Sequence, residues 1–572
     1  MTAIELLPWF NLFFDKAFSL TPEVEAFISG FIDDDCDLGL AYGYIRPWMP
    51  DVHTEEEFSR LSDKMQERRL QDYELRSTAI SGSRVKNPNI PPRRVWDLYA
   101  NRVLPYHAMK QDPPKRGKQR LPRNLWAVSH SWCSPLKRQS VLTTVNGKAW
   151  HVPIPRGTTL EEIRKELLTL GAEYVFLDVL CLRQSDNSLP EFENIRKREW
   201  KLDIPTIGYI YNENKDRPIV VYFDGLGLPM CQRPVDPLDR FHWLKRVWTL
   251  QETPSTVIFG GLEDKPSRLS IDKPDTWPSS LAPLLHSVNE SKVSSGDFIG
   301  ALFNISGRSY ANPVDQVACL AYLLQCPELP IYNGDSDIEG AWKLLIECLH
   351  EYTRTLLLFS DFGRSGSWQP TWKEVMAFAE EKELAEIEPE EREWLKHMDG
   401  SSPEVGYKHG FDAYYHTAYV IEDCYIHISP VGNNEYQRGT VEIPLAERSG
   451  HESFEVSEWG TSATFDPSAP YLLVGVGKLK YWVVAQYYGV RRINGLRAIE
   501  VSKTSTLTIP GSDLDNKDNK ELKHKVQVLE GGALGYTKQA WEAKRRGQGV
   551  QLEGHKGFKM RVRGEYRTIA WR

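Results

Sequence analysis

The sequence predicts an α/β protein built around a parallel sheet, with a helical region before the sheet and a β-rich region after it. Short apolar runs recur between residues 125 and 261, with helix-forming segments between them. This pattern is typical of parallel strands that are covered on both faces. Apolar residues recur at helical spacing near the N-terminus, and short alternating runs separated by turn residues begin at about residue 413.

The length and composition limit the class of protein. A chain of 572 residues is too long for one hydrophobic core, so we divide it into four regions: 1–93 helical, 94–330 α/β, 331–412 helical and 413–572 β-rich. A formal net charge of −8 is small for this length and gives no reason to expect nucleic acid as a partner. The eight cysteines are scattered without a C-x-x-C pair, which favours a reducing compartment and predicts no metal site.

Two features of the sequence bear on the location of the protein. The N-terminus lacks the basic segment that opens a secretory signal. No run reaches the ~18 apolar residues that a membrane span needs. We therefore expect a cytoplasmic protein without a membrane span.

The first region is predicted to be helical, because its apolar residues recur three or four positions apart. Two segments carry this spacing: Ile4, Leu7, Trp9 and Phe10, then Val24, Phe27, Ile28 and Phe31. Residues 55–76 are highly charged, which predicts a solvated helix.

Four buried strands are predicted in the α/β region, at residues 125–129, 174–182, 218–224 and 256–260. Between the first two strands, Thr159-Leu-Glu-Glu162 is a capping box that opens a helix, and Gly171 is the expected stop. Helices are also predicted over residues 191–201 and 240–252, and Pro205 should end the former.

Polar side chains lie at the ends of the first two predicted strands and at the end of the helix predicted over residues 240–252. Because the carboxyl ends of parallel strands meet at one edge of a sheet, we expect these side chains to line one crevice, where open α/β sheets bind ligands. The predicted crevice contains Ser129, His130, Ser131, Trp132, Asp178, Cys181, Gln184, Trp248 and Glu252.

Five short motifs follow one another in the α/β region: Ser-x-x-Trp at 129–132, Asp-x-x-Cys-x-x-Gln at 178–184, Ile-Tyr at 210–211, Leu-Gly at 226–227 and Arg-x-Trp-x-x-Gln-Glu at 246–252. In this order they resemble the fungal heterokaryon incompatibility (HET) domain. Residues 94–99 are similar to the lead-in of mushroom-type members, and Arg308 with residues 312–317 to the segment that commonly follows. The sequence departs from the family at Cys133, where glycine is usual, and at Pro205, which interrupts the middle helix.

The resemblance implies a role in non-self recognition and programmed cell death in a filamentous fungus. The HET domain is distantly similar to the TIR domain, which has a flavodoxin-like parallel sheet. Several TIR proteins cleave NAD at the nicotinamide–ribose bond with one glutamate, and they build their sites across subunits. The matching position here is Glu252, four residues after Trp248. The resemblance therefore implies NAD as a substrate, a homo-oligomer, and a protein partner that triggers incompatibility.

The residue types in the crevice suit this chemistry. Cleavage of a nicotinamide glycosidic bond develops oxocarbenium character on the ribose, which a nearby carboxylate stabilises. Glu252 would supply that carboxylate. Trp132 or Trp248 would stack on the nicotinamide or adenine ring. Ser129 and Ser131 would hold phosphate or ribose.

A non-enzymatic function is compatible with the same residues. In this interpretation Glu252 pairs with Arg246, and Asp178, which lies in an apolar strand, is buried and orients His130 or Arg246. The α/β domain would then self-associate and recruit partners in fungal innate immunity signalling. The position of Glu252 relative to the crevice and to Arg246 separates the two functions.

A third interpretation is a thiol hydrolase. It requires Cys181 within hydrogen-bond reach of His130, with Asp178 as the orienting carboxylate. The structural alternatives are that Cys181 and Trp248 belong to the core and that Gln184 satisfies loop backbone groups.

Overall fold

The computed structural model of the chain divides into two compact units, Met1–Cys348 and Leu349–Arg572. This division does not test the region boundaries at residues 93, 330 and 412, which stay predictions. Residues 382–412 of the predicted second helical region lie outside the described residues. The structure describes residues 2–34, 36–110, 120–185, 190–212, 217–230, 239–253, 256–262, 269–270, 273–276, 281–290, 292–293, 297–350, 353–354, 357–358, 369–381, 414–421, 425–429, 438–444, 451–458, 471–475, 481–493, 496–508, 550–553, 559–562 and 565–571.

The first unit begins with a cluster of helices, as the apolar spacing predicts. They are α1 (Ala3–Phe14), α2 (Pro22–Asp33), α3 (Leu38–Ile45) and α4 (Glu57–Ser77). The side chains of Thr2, Thr21 and Asp37 accept hydrogen bonds from first-turn backbone N–H groups, so the first three helices begin where these caps stand. The helices bury a core of their own, which extends from Ala3 to Leu61.

A seven-stranded sheet forms the centre of the first unit. Its strands are β3 (Arg94–Asp97), β4 (Arg102–Pro105), β5 (Leu125–His130), β8 (Tyr174–Leu177), β9 (Ile219–Tyr222), β10 (Thr256–Phe259) and β11 (Leu269–Ser270). The spatial order is β11-β10-β9-β5-β8-β3-β4. The four predicted strands β5, β8, β9 and β10 pair in parallel, which confirms an α/β arrangement. The sheet is nevertheless mixed, because β3, β4 and β11 pair antiparallel at its edges.

Shorter strands of the first unit form two further sheets. Strands β1 (Ile80–Ser81) and β2 (Arg84–Val85) form an antiparallel sheet with β12 (Leu329–Pro330). Strands β6 (Arg138–Val141) and β7 (Val152–Pro155) form an antiparallel pair in the connection from β5 to β8.

The central strand β5 has neighbours on both sides. Val128 pairs with Leu177 of β8 on one side and with Val220 of β9 on the other. All three side chains are fully buried, as expected of strands that are covered on both faces. The hydrophobic core around this sheet runs from Val95 to Tyr332.

Helices follow the strands in the remainder of the first unit. They are α5 (Leu160–Leu170), the single turn α6 (Asp178–Cys181), α7 (Pro190–Asp203), α8 (Gly208–Asn212), α9 (Ala282–Glu290), α10 (Phe298–Ser306), α11 (Asp315–Leu323) and α12 (Ile338–Cys348). The predicted capping box of Thr159 and Glu162 is present at the start of α5, and Gly171 ends that helix with φ +95°. A 3₁₀ turn that starts at Pro205 separates α7 from α8, as predicted.

The predicted second strand is too long. It ends at Leu177, and residues 178–181 form the helical turn α6, in which Leu182 N–H donates to the Asp178 carbonyl at 2.9 Å. The Asp178 carboxylate also accepts from Val179 N–H at 2.7 Å, so it stabilises the turn locally. A continuous apolar run contains no signal that separates a buried strand from a buried helical turn.

The predicted helix over residues 240–252 is wrong. Two 3₁₀ turns, Trp243–Lys245 and Trp248–Leu250, replace it, and Arg246 between them is extended. The reason is that the backbone groups a helix would use internally bond to Ser309 instead. Ser309 N–H donates to Lys245 O at 2.6 Å, and Val247 N–H donates to Ser309 O at 3.1 Å.

The described residues of the second unit are mainly β, as predicted. Helix α13 (Trp372–Glu381) precedes the strands β13 (Tyr414–Ile421), β14 (Tyr425–Ser429), β15 (Arg438–Pro444), β16 (His451–Glu458), β17 (Tyr471–Gly475), β18 (Tyr481–Ile493), β19 (Leu496–Thr508), β20 (Val550–Glu553), β21 (Lys559–Val562) and β22 (Glu565–Trp571). Eight of them form one sheet in the order β14-β15-β16-β19-β18-β17-β13-β22, and β20 pairs with β21. Among the described helices, none combines the length and the apolar character needed to cross a membrane.

Candidate functional site

The candidate site lies at the carboxyl end of β5, where the order of the parallel strands reverses. The chain passes from β5 to β8 on one side and then returns to β9 on the other side of β5. Ligands of open α/β sheets bind at such a switch point. Strand β5 ends in His130 and leads into Trp132, β8 leads into Asp178, and the segment between β9 and β10 carries Glu252.

Glu252 lies against the end of β5 and is 8% exposed. Its Oε2 atom accepts a hydrogen bond from Ser129 Oγ at 2.5 Å. Burial raises the pKa of the Glu252 carboxyl to about 7; the bond from Ser129 and the charges of His130 and Arg246 oppose this rise. In the described part of the chain Glu252 makes no ion pair with Arg246, so the structural pairing considered from the sequence is absent.

A buried tryptophan donates to the serine that bonds this carboxylate. Trp243 is fully buried, and its Nε1–H donates to Ser129 Oγ at 2.7 Å. The Ser129 hydroxyl therefore accepts from Trp243 and donates to Glu252. Trp243 is not among the site residues predicted from the sequence. The available signal was its indole N–H, which needs an acceptor when it is buried.

A second polar cluster joins β5 to the turn after β8. Asp178 Oδ1 lies 2.7 Å from His130 Nε2, and Asp178 Oδ2 accepts from Trp132 Nε1–H at 3.1 Å. His130 Nδ1 lies 3.1 Å from the Ser131 carbonyl. Both ring nitrogens thus face oxygen acceptors, an arrangement that only the protonated imidazolium satisfies fully. The expected orientation of His130 by Asp178 is confirmed.

His130 and Asp178 each stabilise the charged form of the other. Burial acts to lower the pKa of His130, but the Asp178 carboxylate beside it outweighs that effect and raises the pKa. Burial acts to raise the pKa of Asp178, but the charge of His130 and the hydrogen bonds lower it overall. The pair therefore favours its ionised form, and the Asp178 carboxylate also holds the Trp132 N–H.

Cys181 and Gln184 have structural partners. Cys181 is buried, its thiol lies 3.8 Å from the Val175 carbonyl, and burial raises its pKa to about 12. Gln184 Nε2 donates to the carbonyls of Leu182 and Asp178 at 2.9 and 3.2 Å, as the structural alternative predicts. Neither the Cys181 thiol nor the nitrogens of His130 are placed for a thiol hydrolase.

The two serines expected to hold phosphate or ribose are buried, and their ligand contacts stay a prediction. Ser129 bonds to Trp243 and Glu252, and Ser131 is buried with its N–H donating to Tyr222 O at 3.0 Å. Neither side chain presents a surface to a phosphate. Ser129 lies near the carboxyl end of β5 and Ser131 directly follows the strand, and spacing alone does not reveal that both are buried there.

The two tryptophans expected to stack on a ligand differ in their surroundings. Trp132 is half-buried, stacks on His130 with ring centroids 5.9 Å apart, and has the Arg138 guanidinium 5.3 Å from its ring centre. Trp248 packs against the hydrophobic core with its ring 6.4 Å from that of Tyr332. Both rings are half-buried against the sheet core; Trp132 adjoins His130 and Asp178 after β5, whereas Trp248 adjoins Tyr332.

Arg308 holds the segment that leads to Glu252. Its Nη1 atom donates to Arg246 O at 2.9 Å and to Thr249 Oγ1 at 3.0 Å, and its Nε atom donates to Asn304 O at 3.1 Å. Burial lowers the pKa of Arg308 to about 10, because only neutral oxygens receive these bonds. The backbone of the segment is thereby fixed from α10.

The geometry provides a buried carboxylate of raised pKa, an oriented imidazolium and a partly exposed indole at one strand end. Within the described residues, no group of three or more His, Cys, Asp and Glu side chains is arranged to hold a metal ion. Comparisons with protein-family models, curated proteins and solved structures find no match to this chain.

Proposed function

We propose that the first unit is a HET-type, TIR-like domain that cleaves NAD at the nicotinamide–ribose bond with Glu252, in a cytoplasmic fungal cell-death effector. The observation that carries this proposal is the buried Glu252 carboxylate at the carboxyl end of β5. The resemblance of the motifs supports the family. The strand order supports the TIR-like fold, because numbering the parallel strands along the chain gives 2-1-3-4, the beginning of the flavodoxin-like order.

The environment of Glu252 suits the stabilisation of a developing positive charge. A carboxylate that is little hydrated interacts more strongly with an oxocarbenium-like ribose than a solvated one. With a pKa of about 7, Glu252 is partly ionised at neutral pH. The cationic nicotinamide ring of a bound NAD would favour the ionised form.

Trp132 supports the binding step. Its indole is held by Asp178 from one edge and by His130 on one face. Because the ring is fixed, it would lose little side-chain entropy when a nicotinamide or adenine base stacks on it in place of the Arg138 guanidinium. The low exposure of Glu252 is consistent with activity that requires rearrangement on assembly, so we propose a homo-oligomer as the active form.

The test is nicotinamide release from NAD by the purified full chain over a range of protein concentrations. We expect Glu252→Gln to reduce turnover about 10²–10³-fold, because the amide carries no charge. The matched control is Glu56→Gln, which removes an exposed carboxylate at the start of α4 and should leave turnover unchanged. Absence of turnover by folded, oligomeric wild type would overturn the proposal.

A non-enzymatic interaction module is the second candidate, and one observation favours it. The chain of bonds from Trp243 through Ser129 to Glu252 also suits a carboxylate that only holds the segment between β9 and β10 in place. In that case Glu252→Gln should preserve cell killing, since the glutamine oxygen still accepts from Ser129. Loss of killing by a folded Glu252→Gln protein would exclude this candidate.

A further inference from the structure

Side chains from two other parts of the chain hold the single turn α6, which carries Asp178. A helical turn of this length makes few hydrogen bonds of its own, so its carbonyls need donors from outside. The Val179 carbonyl accepts from Trp150 Nε1–H at 3.1 Å, and the Cys181 carbonyl accepts from Arg94 Nη1 at 3.4 Å. Trp150 precedes β7 and Arg94 begins β3, so the turn is fixed by the fold around it.

Trp150 is itself fixed by two cations. It is buried, and the guanidinium groups of Arg94 and Arg183 lie 5.3 and 5.1 Å from the centre of its ring. Glu199 on α7 forms ion pairs with both arginines, at 2.5 and 3.6 Å. The indole thus packs against two cations that share one carboxylate, which limits its freedom to turn its N–H away from Val179.

Val179 connects this indole to the crevice. Its carbonyl accepts from Trp150, and its N–H donates to Asp178 Oδ1 at 2.7 Å. The same carboxylate lies 2.7 Å from His130 Nε2 and accepts from Trp132 Nε1–H at 3.1 Å. A shift of the turn would therefore change the distances that orient the imidazole and the exposed indole.

A separate set of bonds holds Glu252. Its carboxylate accepts from Ser129, and the segment that carries it is fixed by Arg308 and Ser309. None of these bonds involves α6 or Trp150. A change at Trp150 is therefore expected to act on the turn and not on the segment that carries Glu252.

We propose that Trp150 and Arg94 are positioning residues of the candidate site, which act through α6 to hold the Asp178 carboxylate against His130 and Trp132. Trp150 lies between the first two motifs of the sequence resemblance and belongs to neither. The inference rests on the proposed function for its effect on NAD cleavage. The orientation of His130 is measured without any substrate.

The test is the titration of the His130 ring by NMR in the full chain with isotope-labelled histidine. The His130 signal is identified by its loss in His130→Gln. Burial acts to lower the pKa of His130, and the Asp178 carboxylate, the Ser131 carbonyl and the charge of Glu252 act to raise it. We expect Trp150→Phe, which keeps a ring without the N–H, to lower this pKa by at least about 0.5 pH unit, because Asp178 is held less closely.

Arg94→Gln is the second variant. It removes the bond to the Cys181 carbonyl and one of the two cations beside Trp150. The pKa of His130 should fall in the same direction as in Trp150→Phe. An unchanged His130 titration in the folded variants, or in whichever of the two folds, would overturn the proposal.

Trp96→Phe is the matched control. Trp96 is fully buried in the same core, and its Nε1–H donates to Asn101 Oδ1 at 3.2 Å in the connection after β3. The substitution removes a buried indole N–H but leaves the bond from Trp150 to Val179 in place. We expect the His130 titration of this control to match wild type. An equal fall of the pKa in the control and in Trp150→Phe would indicate a general loss of packing and would overturn the positioning role.

Activity measurements separate this inference from the proposed catalysis. We expect Trp150→Phe to raise KM at least about threefold with a smaller change in kcat, since Trp132 is affected more than Glu252. A lowered pKa of His130 in the variants without NAD cleavage by wild type would support the positioning role and remove the glycohydrolase. NAD cleavage by wild type, with an unchanged KM and an unchanged His130 titration in the variants, would do the reverse.

Discussion

At the scale of single residues, Glu252 and Asp178 show how neighbours decide the charge of a buried acid. Asp178 lies 2.7 Å from His130 Nε2 and also accepts from Trp132, so its pKa falls. Glu252 has a neutral hydroxyl as its hydrogen-bond donor, and its pKa rises to about 7 because burial dominates. The pKa values of two buried carboxyl groups near the end of β5 are thus shifted in opposite directions by their neighbours.

Glu252→Gln is expected to change how stability depends on pH. Burial raises the pKa of Glu252 from 4.5 to about 7, so between these values the folded protein binds more protons than the unfolded chain. The contribution of Glu252 to the free energy of unfolding therefore falls as the pH rises from about 4.5 to about 7. Over this range the contribution of Glu252 to the free energy of unfolding falls by roughly 3 kcal/mol, and the Glu252→Gln protein lacks this dependence on pH.

Urea unfolding of wild type and Glu252→Gln at several pH values between 5 and 8 measures this difference. The stability of the variant relative to wild type should increase with pH and level off above pH 7. Glu56→Gln serves as the exposed control. If the stability difference between Glu252→Gln and wild type stays constant from pH 5 to 8, the pKa of Glu252 is not raised.

At the scale of elements, the segment between β9 and β10 decides where Glu252 lies. Its two 3₁₀ turns are too short to be stable by themselves, because one turn makes few internal hydrogen bonds. Ser309 and Arg308, which follow α10, supply the missing partners across more than fifty residues of chain. The geometry of the candidate site therefore depends on an element that contributes no side chain to the crevice.

Arg308→Met is expected to destabilise the first unit by about 1–3 kcal/mol, because the Arg246 and Thr249 oxygens lose a buried donor. The same change should reduce nicotinamide release by loosening the segment that carries Glu252. Chemical denaturation and the activity assay measure the two effects. Arg60→Met, at an exposed position on α4, is the control for loss of an arginine. Wild-type stability of Arg308→Met would show that water replaces the guanidinium without cost.

At the scale of the whole molecule, an ion pair links the helical core of the first unit to its sheet core. The helical core extends from Ala3 to Leu61, and the sheet core extends from Val95 to Tyr332. Arg46, directly after α3, donates to Asp97 of β3 at 2.8 Å and to Glu173 at 2.6 Å. Since Asp97 is fully buried, this contact fixes the helical part on the sheet.

A fragment of residues 1–348 is expected to fold without the second unit. The reason is that both cores and the Arg46–Asp97 contact lie within these residues. The measurements are near-ultraviolet circular dichroism and thermal unfolding, which should show an ordered aromatic environment and a cooperative transition. A fragment without a cooperative transition would show that the first unit depends on residues after 348.

The sequence by itself determined the parts of this protein that depend on local pattern. Apolar periodicity located the N-terminal helices, the four parallel strands and the β-rich second unit. Capping chemistry located α5, since Thr159, Glu162 and Gly171 act within their own helix. The grouping of Trp132, Asp178 and Glu252 followed from a general property of parallel sheets, whose carboxyl ends meet at one edge.

Only the tertiary structure decided the partners of these side chains. Trp243 and Ser129 are 114 residues apart, and Ser129 and Glu252 are 123 residues apart. Backbone bonds to Ser309 stabilise two 3₁₀ turns where the sequence predicts a helix. The Asp178 carboxylate stabilises a helical turn where the sequence predicts the end of a strand. Such bonds depend on which backbone and side-chain groups the fold brings within about 3 Å, and spacing along the chain does not encode that distance.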